Sequence, residues 1–329
     1  MSILDALIFG PVPSRRLGRS LGINNIPPKF CTYACVYCQI GRTTNMTISR
    51  QSFYHPEELV EAVERRIIQS EIEGETIDYL TLVPDGEPTL DKYLSECIQK
   101  LKILGKKVAV ITNASLIWQD NVRETLSGAD WVSLKIDAAD IETWKDINRP
   151  HQSLDFDKIK KGILAFAENY AGTLVTESML LRGINDHVKH VRKIADFIVQ
   201  LQPATSYLGI PTRPPAERWV EQPFEKDLVR AFHIMQEQIK HVEYLVGYEG
   251  SEFSSTGNID KDLLSITAVH PMRKEAVDVL LKKTGATWSS VDQLIRSGQL
   301  IQTEYKGEVF ILRKLTVPGN HGMLGVRMQ

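Results

Sequence analysis

The chain has 329 residues, 43% hydrophobic and 24% charged, a composition that can bury a sizeable core and excludes disorder, collagen and coiled coil. Lys and Arg number 39 against 41 Asp and Glu, a formal charge of -2, so no global attraction to polyanions exists and any nucleic-acid contact must be local. No apolar run approaches the roughly 18 residues of a membrane helix, and the stretch 3–9 is short and broken by Asp5, which excludes a membrane partner and leads us to expect a cytoplasmic protein.

In chain order, 17–26 reads as a first strand, and 77–83, 107–112, 131–136, 173–181 and 205–210 read as further apolar, β-rich strands. Between and after them, 57–72, 90–104, 121–126, 156–170, 188–201 and 224–242 carry the apolar spacing of amphipathic helices. This repeated strand–helix alternation is α/β. It favours parallel pairing and a partial (βα)6 TIM-like barrel, with its active face at the C-terminal ends of the strands. The barrel is expected over 1–250 and a Gly/Ser-containing linker over 251–259. Three short helices and a hairpin around Lys306-Gly307 follow over 260–315, the order of a winged-helix domain, with an irregular tail at 316–329.

Three of the four cysteines, Cys31, Cys35 and Cys38, fall within eight positions after the first strand and the Pro27-Pro28 turn. A disulfide framework would use more pairs, so reduced thiolates binding a metal are the better reading. Structural zinc takes four ligands, and the next His after this loop is His55. Three cysteines on a cubane cluster would leave one iron open to an exogenous molecule. Cys97 lies mid-helix as a small buried hydrophobe.

The Cys-x-x-x-Cys-x-x-Cys spacing, with Tyr37 before the last Cys, resembles the signature of the radical S-adenosylmethionine (SAM) superfamily. The resemblance extends over about 15–250. It implies Cys31, Cys35 and Cys38 as ligands of a [4Fe-4S] cluster whose open iron chelates SAM. Reductive cleavage then yields a 5'-deoxyadenosyl radical that abstracts a substrate hydrogen. In Asp85-Gly86-Glu87-Pro88, similar to the family's Gly-Gly-Glu-Pro motif with Asp for the first Gly, Gly86 and Glu87 are expected at the cofactor's amino group. Thr112, Asn113, Ser133, Lys135 and Asp137 stand where relatives contact the ribose and carboxylate, and Met179 ends a strand whose backbone could line the adenine. Ser133 and Lys135, two apart on a strand, share a face. Arg149 and Arg213 follow elements on the same side and suit a phosphate or carboxylate.

The segment from Pro11 to Asn24 is similar to Fe-S oxidoreductases related to the wyosine synthetases of tRNA. Those enzymes carry additional N-terminal cysteines, whereas no Cys precedes Cys31 here. The resemblance therefore implies the cofactor chemistry and leaves open an RNA nucleoside, a peptide or a small metabolite as substrate, with flavodoxin or ferredoxin as electron donor. Residues 270–315 hold eight basic and five acidic side chains, a modest excess for a DNA reader. A winged helix that recognises a peptide by strand addition needs no such excess. The non-enzymatic alternative is an Fe-S redox sensor that binds DNA, but a sensor does not need the polar motifs after the later strands.

Overall fold

The computed structural model describes residues 7–245, 258–269 and 271–314. Most of the linker read at 251–259 and the tail at 316–329 lie outside the described residues.

Strands β1 (Ile8–Ser14) and β2 (Gly18–Ile23) form an antiparallel pair. After two short bridging strands, β3 (Phe30–Cys31) and β4 (Asn45–Met46), the chain alternates regularly. It runs through α1 (Pro56–Ile72), β5 (Tyr79–Leu82), α2 (Leu94–Ile103), β6 (Lys107–Thr112), α3 (Asp120–Ser127) and β7 (Trp131–Lys135). It continues through α4 (Ile141–Asn148), α5 (Phe156–Asn169), β8 (Thr173–Met179), α6 (Val188–Ile198), β9 (Thr205–Gly209), α7 (Glu225–Gln236) and β10 (Val242–Leu245). The eight-stranded sheet has the order β1-β2-β5-β6-β7-β8-β9-β10, and every neighbouring pair from β2 to β10 is parallel. The six expected strand–helix units are therefore present as a curled, partial TIM-like barrel. β10 closes it on one side and β1 on the other, and neither was expected.

Alternation along the strands divides the side chains. Leu80, Leu82, Val108, Val110, Val132 and Leu134 enter the main core under the helices, each worth about 1.5–3 kcal/mol when fully buried. The opposite set, Leu17, Ala109, Trp131, Val175 and Tyr207, forms a separate apolar plug. Above it the same face turns polar at Ser133, Lys135 and Glu177. Helix ends are set locally. The Asp140 and Asp155 carboxylates cap α4 and α5 by accepting from Thr143 N and Lys158 N, each at 3.0 Å. Arg149, in the left-handed region at φ 43°, stops α4.

The second unit comprises α8 (Ile259–Val269), β11 (Met272–Arg273), α9 (Lys274–Thr284), α10 (Trp288–Arg296), β12 (Leu300–Tyr305) and β13 (Glu308–Arg313), with sheet order β11-β13-β12. The β12–β13 turn uses Lys306 and Gly307, both at positive φ, as a two-residue hairpin requires. Its core, with Leu263, Met272, Leu280, Val291 and Ile311, also contains Phe9 and Val12 of β1, and Val83 packs against it. The unit therefore covers the barrel's edge strand, which would otherwise present unpaired backbone. No described helix is long and apolar enough to cross a membrane.

Candidate functional site

The cysteine loop leaves β2 over the ends of the next strands and is stitched down by backbone bonds. Lys29 N donates to Asp85 O at 2.6 Å and Glu87 N to Phe30 O at 3.1 Å. Ala34 N and Val36 N donate to the carbonyls of Asn148 and Ile147 at 3.0 and 2.9 Å, and Glu217 N donates to Val36 O at 3.0 Å. Gly86 permits this closeness, because a Cβ there would overlap the Phe30 carbonyl oxygen. The loop and the Asp85–Pro88 segment are thus one structural piece.

Each of two sulfurs has an amide beside it. Asn113 Nδ2 lies 3.5 Å from Cys31 Sγ, and Asn148 Nδ2 lies 3.4 Å from Cys35 Sγ. Burial, reinforced by the Asp137 carboxylate, pushes the Cys35 thiol up to about 12, and burial raises Cys31 and Cys38 as well. Only a strong positive charge such as iron would hold three thiolates here. Among the described residues no three His, Cys, Asp or Glu side chains converge on one metal ion.

Glu87 is fully buried and saturated: Oε1 accepts from Thr89 N, Thr89 Oγ1 and Thr112 Oγ1 at 3.1, 2.6 and 2.6 Å, and Oε2 accepts from Asn113 N at 2.7 Å. Burial raises its pKa and these four donors oppose the rise. Asp137 is similarly committed, accepting from Tyr37 OH, from Asn148 Nδ2 at 2.9 Å and from Met179 N at 2.8 Å. Both carboxylates brace the loop. Asn185 adds a further brace: its amide nitrogen donates to Asp137 O and Met179 O, and its oxygen accepts from Leu181 N, all at 2.8 Å.

A cavity of about 310 Å³ opens between the loop and the strand ends, lined by Tyr37, Cys38, Lys135, Glu177, Met179 and Arg213 among others. Lys135 sits 3.9 Å from Asp137 and over the Tyr37 ring. Glu177 is paired in register with Lys135 and bonded to Arg16 and, at 2.5 Å, to the Ser133 hydroxyl. Burial pushes Glu177 up, but Arg16, Lys135 and Ser133 outweigh burial and hold it below the usual carboxylate range. Asp85 is 2% exposed, and burial raises it to about 7 against the opposing charges of Arg313 and Lys29.

Of the residues expected at the cofactor, Lys135 and Met179 line the cavity, while Gly86, Glu87, Thr112, Asn113, Ser133 and Asp137 lie outside its lining. Glu87, expected at the cofactor's amino group, is instead engaged by Thr89, Thr112 and Asn113, and Ser133 and Lys135 share the inner face. Arg149 lies beside the loop, where it and Arg42 pair with Glu217. Arg16, Glu177, Asn148 and Asn185 were not singled out from sequence. For Glu177 a signal existed, since it stands two before Met179 on one strand and so shares its face.

Residues 25–198, more than half of the chain, match the model of the radical SAM superfamily. The chain is 45% identical to the UPF0026 protein MJ1312 of Methanocaldococcus jannaschii, over 94% of this chain and 96% of that protein. A structure of TYW1 with a lysine-pyruvate adduct bound aligns with a TM-score of 0.52 at 16% identity, covering 73% of this chain and 78% of that one. A radical SAM methyltransferase from Sphaerobacter thermophilus aligns at 0.53 and 15% identity, covering 69% and 67%. These two likenesses show the fold. The family match sets aside the reading as a non-enzymatic redox regulator. The chain belongs to the radical SAM superfamily, enzymes that use a [4Fe-4S] cluster and SAM.

Proposed function

We propose that Cys31, Cys35 and Cys38 hold a [4Fe-4S] cluster at which SAM is reductively cleaved, with hydrogen abstraction from a substrate seated in the 310 Å³ cavity. The observation that carries this reading is Cys38 on the wall of a cavity that Lys135 and Met179 also line, so one cavity reaches from a cysteine of the loop to the strand ends. When bound, the cluster and SAM supply one-electron cleavage of a sulfonium and a carbon-centred radical.

The protein's own residues bind, orient and exclude water. Glu87 orders Thr112 and the Asn113 backbone, so that Gly86, Thr112 and Asn113 meet the amino-acid end of SAM. Lys135 supplies positive charge for its carboxylate, and Asp137 holds Tyr37 and the Met179 backbone where the adenine would lie. Ser133, engaged by Glu177, fixes that carboxylate for the ribose side.

For the substrate we favour an RNA nucleoside. Arg15, Arg16, Lys135 and Arg213 line the cavity with a single acid among the described residues, Glu177, which suits a phosphate-bearing molecule. We read residues 260–315 as a winged-helix domain, in a cytoplasmic enzyme reduced by flavodoxin or ferredoxin. One observation favours a peptide instead. β12 is the outer strand of its sheet, and Tyr305 at its end donates to Pro211 O at 3.2 Å, on the cavity wall. A peptide added to that edge would lead toward the cavity.

The test is anaerobic reconstitution followed by reductant and SAM. One four-iron cluster per chain and 5'-deoxyadenosine are expected, while Cys35→Ala should retain little iron. An intact cluster that yields no 5'-deoxyadenosine would reject the reading. Deuterium transfer into 5'-deoxyadenosine from labelled RNA or peptide then separates the two substrates.

A further inference from the structure

We infer that Asn113 and Asn148 are positioning residues that donate N–H···S hydrogen bonds to the sulfurs of Cys31 and Cys35 and thereby raise the reduction potential of the cluster. The inference rests on the cluster assignment proposed above and goes beyond it, because it concerns how readily an electron enters.

The orientation of each amide is dictated by its other partners. The Asn113 oxygen accepts from Ser115 N at 2.9 Å, which leaves its nitrogen to donate to Thr32 Oγ1 at 2.9 Å and to Cys31 Sγ at 3.5 Å. Asn148 Nδ2 is 2.9 Å from an Asp137 carboxylate oxygen, which can only accept, and its second hydrogen serves Cys35 Sγ at 3.4 Å. A flipped amide would set oxygen against oxygen at Asp137. Each asparagine thus spends one N–H on a fixed anchor and one on sulfur. Asn148 is 3% exposed, so water competes little for its donors.

Reduction adds negative charge that spreads onto the cluster sulfurs. A donor aimed at sulfur stabilises the reduced state more than the oxidised one, so the potential rises. A hydrogen bond to a charged group, felt mainly in the reduced state, changes the ratio of reduced to oxidised cluster about tenfold, which is about 59 mV for a one-electron couple. The two amides also link the sulfurs to the rest of the site. Asn113 N donates to Glu87, and Asn148 shares Asp137 with Tyr37 and Met179 N.

The test is potentiometric titration, followed by electron paramagnetic resonance, of reconstituted full-length wild type, Asn113→Leu and Asn148→Leu. Each variant should keep its four irons and show a ratio of reduced to oxidised cluster about tenfold lower at fixed potential. A variant with full iron and an unchanged potential would overturn the inference. Should a variant lose its cluster, wild-type protein carrying ¹⁵N only in asparagine side chains decides the matter. Pulsed electron–nuclear measurements on its reduced cluster should reveal weak side-chain nitrogen couplings, and their absence overturns the inference. A wild type that binds no four-iron cluster is a different result and sinks the proposed function itself.

Discussion

Arg313, on β13 of the second unit, is the strongest favourable charge acting on the buried Asp85 carboxylate that follows β5. The two residues are 228 positions apart in sequence, so the C-terminal unit acts electrostatically on the segment expected to hold SAM. Lys29 assists from the start of the cysteine loop, yet burial still wins and leaves Asp85 at about 7. A carboxyl raised in the folded state binds its proton more tightly there than in the unfolded chain. Its contribution is therefore neutral below about pH 4 and grows more destabilising as pH rises toward 7. Asp85→Asn should remove this loss. We expect the variant to match wild type near pH 4 and to exceed it by up to about 4 kcal/mol at pH 8, read from denaturant unfolding at both values. Equal pH slopes for the two proteins would contradict the assignment.

Removal of the second unit is a harsher test of the same relationship. Phe9, Val12 and Val83 share its core, and Lys283 pairs with Glu75 of the barrel at 2.8 Å. Truncation before residue 258 would bare these apolar side chains, each costing about 1.5–3 kcal/mol in lost burial, and leave Asp85 without its main counter-charge. The shortened protein should aggregate or melt at clearly lower temperature, and reconstitute less iron. An appendage that merely recruits substrate would leave a stable barrel that still releases 5'-deoxyadenosine from SAM. Light scattering, calorimetry and iron content distinguish the outcomes.

Much of this architecture was legible because it rests on local patterns. The strands 107–112 and 131–135 show themselves as short apolar, β-rich runs, and the cysteine spacing is confined to eight residues. What escaped depended on distant partners. β1 contains Pro11 and Pro13, which an interior strand would not tolerate. It is admitted because it pairs only at the sheet edge, with a register shift between Phe9 and Val12. α4 has eight residues, and its identity rests on Trp144 and Ile147 finding the core. The helix read at 224–242 stops at Gln236 and overlaps β10 only at Val242, because the apolar residues before β10 continue that helix's run. Asn148 meets Cys35 across 113 positions, and no local pattern announces such a donor.

Gly86 offers a test of the junction between loop and strand. Adding one methyl group should force Phe30 and the cysteine loop away from the Asp85–Pro88 segment, since the clash is with backbone and no side chain can swing aside. Gly86→Ala should weaken SAM binding by roughly tenfold or more and destabilise the fold by about 1–3 kcal/mol, as read by anaerobic calorimetry and thermal unfolding. Unchanged affinity would mean that the segment and the loop are less tightly joined than their hydrogen bonds imply.

Asn185 tests whether the far wall of the site is held by one side chain. Its three bonds tie the end of β7, through Asp137 O, to the end of β8, through Met179 O, and also fix Leu181 N. All three partners are backbone groups, and Asn185 itself is fully buried, so Asn185→Ala strands them away from water. That should cost about 2–4 kcal/mol, more than a single exposed hydrogen bond would. Asn185→Asp keeps the acceptor for Leu181 N but turns an oxygen toward two carbonyls, so it should rescue little. If Asp137 and Met179 form the adenine side of the cofactor site, both variants should lose SAM affinity while keeping their iron, because no bond of Asn185 reaches a cysteine. Loss of iron in step with stability would instead show that the cysteine loop depends on this strut, and titration of bound iron against SAM affinity separates the two.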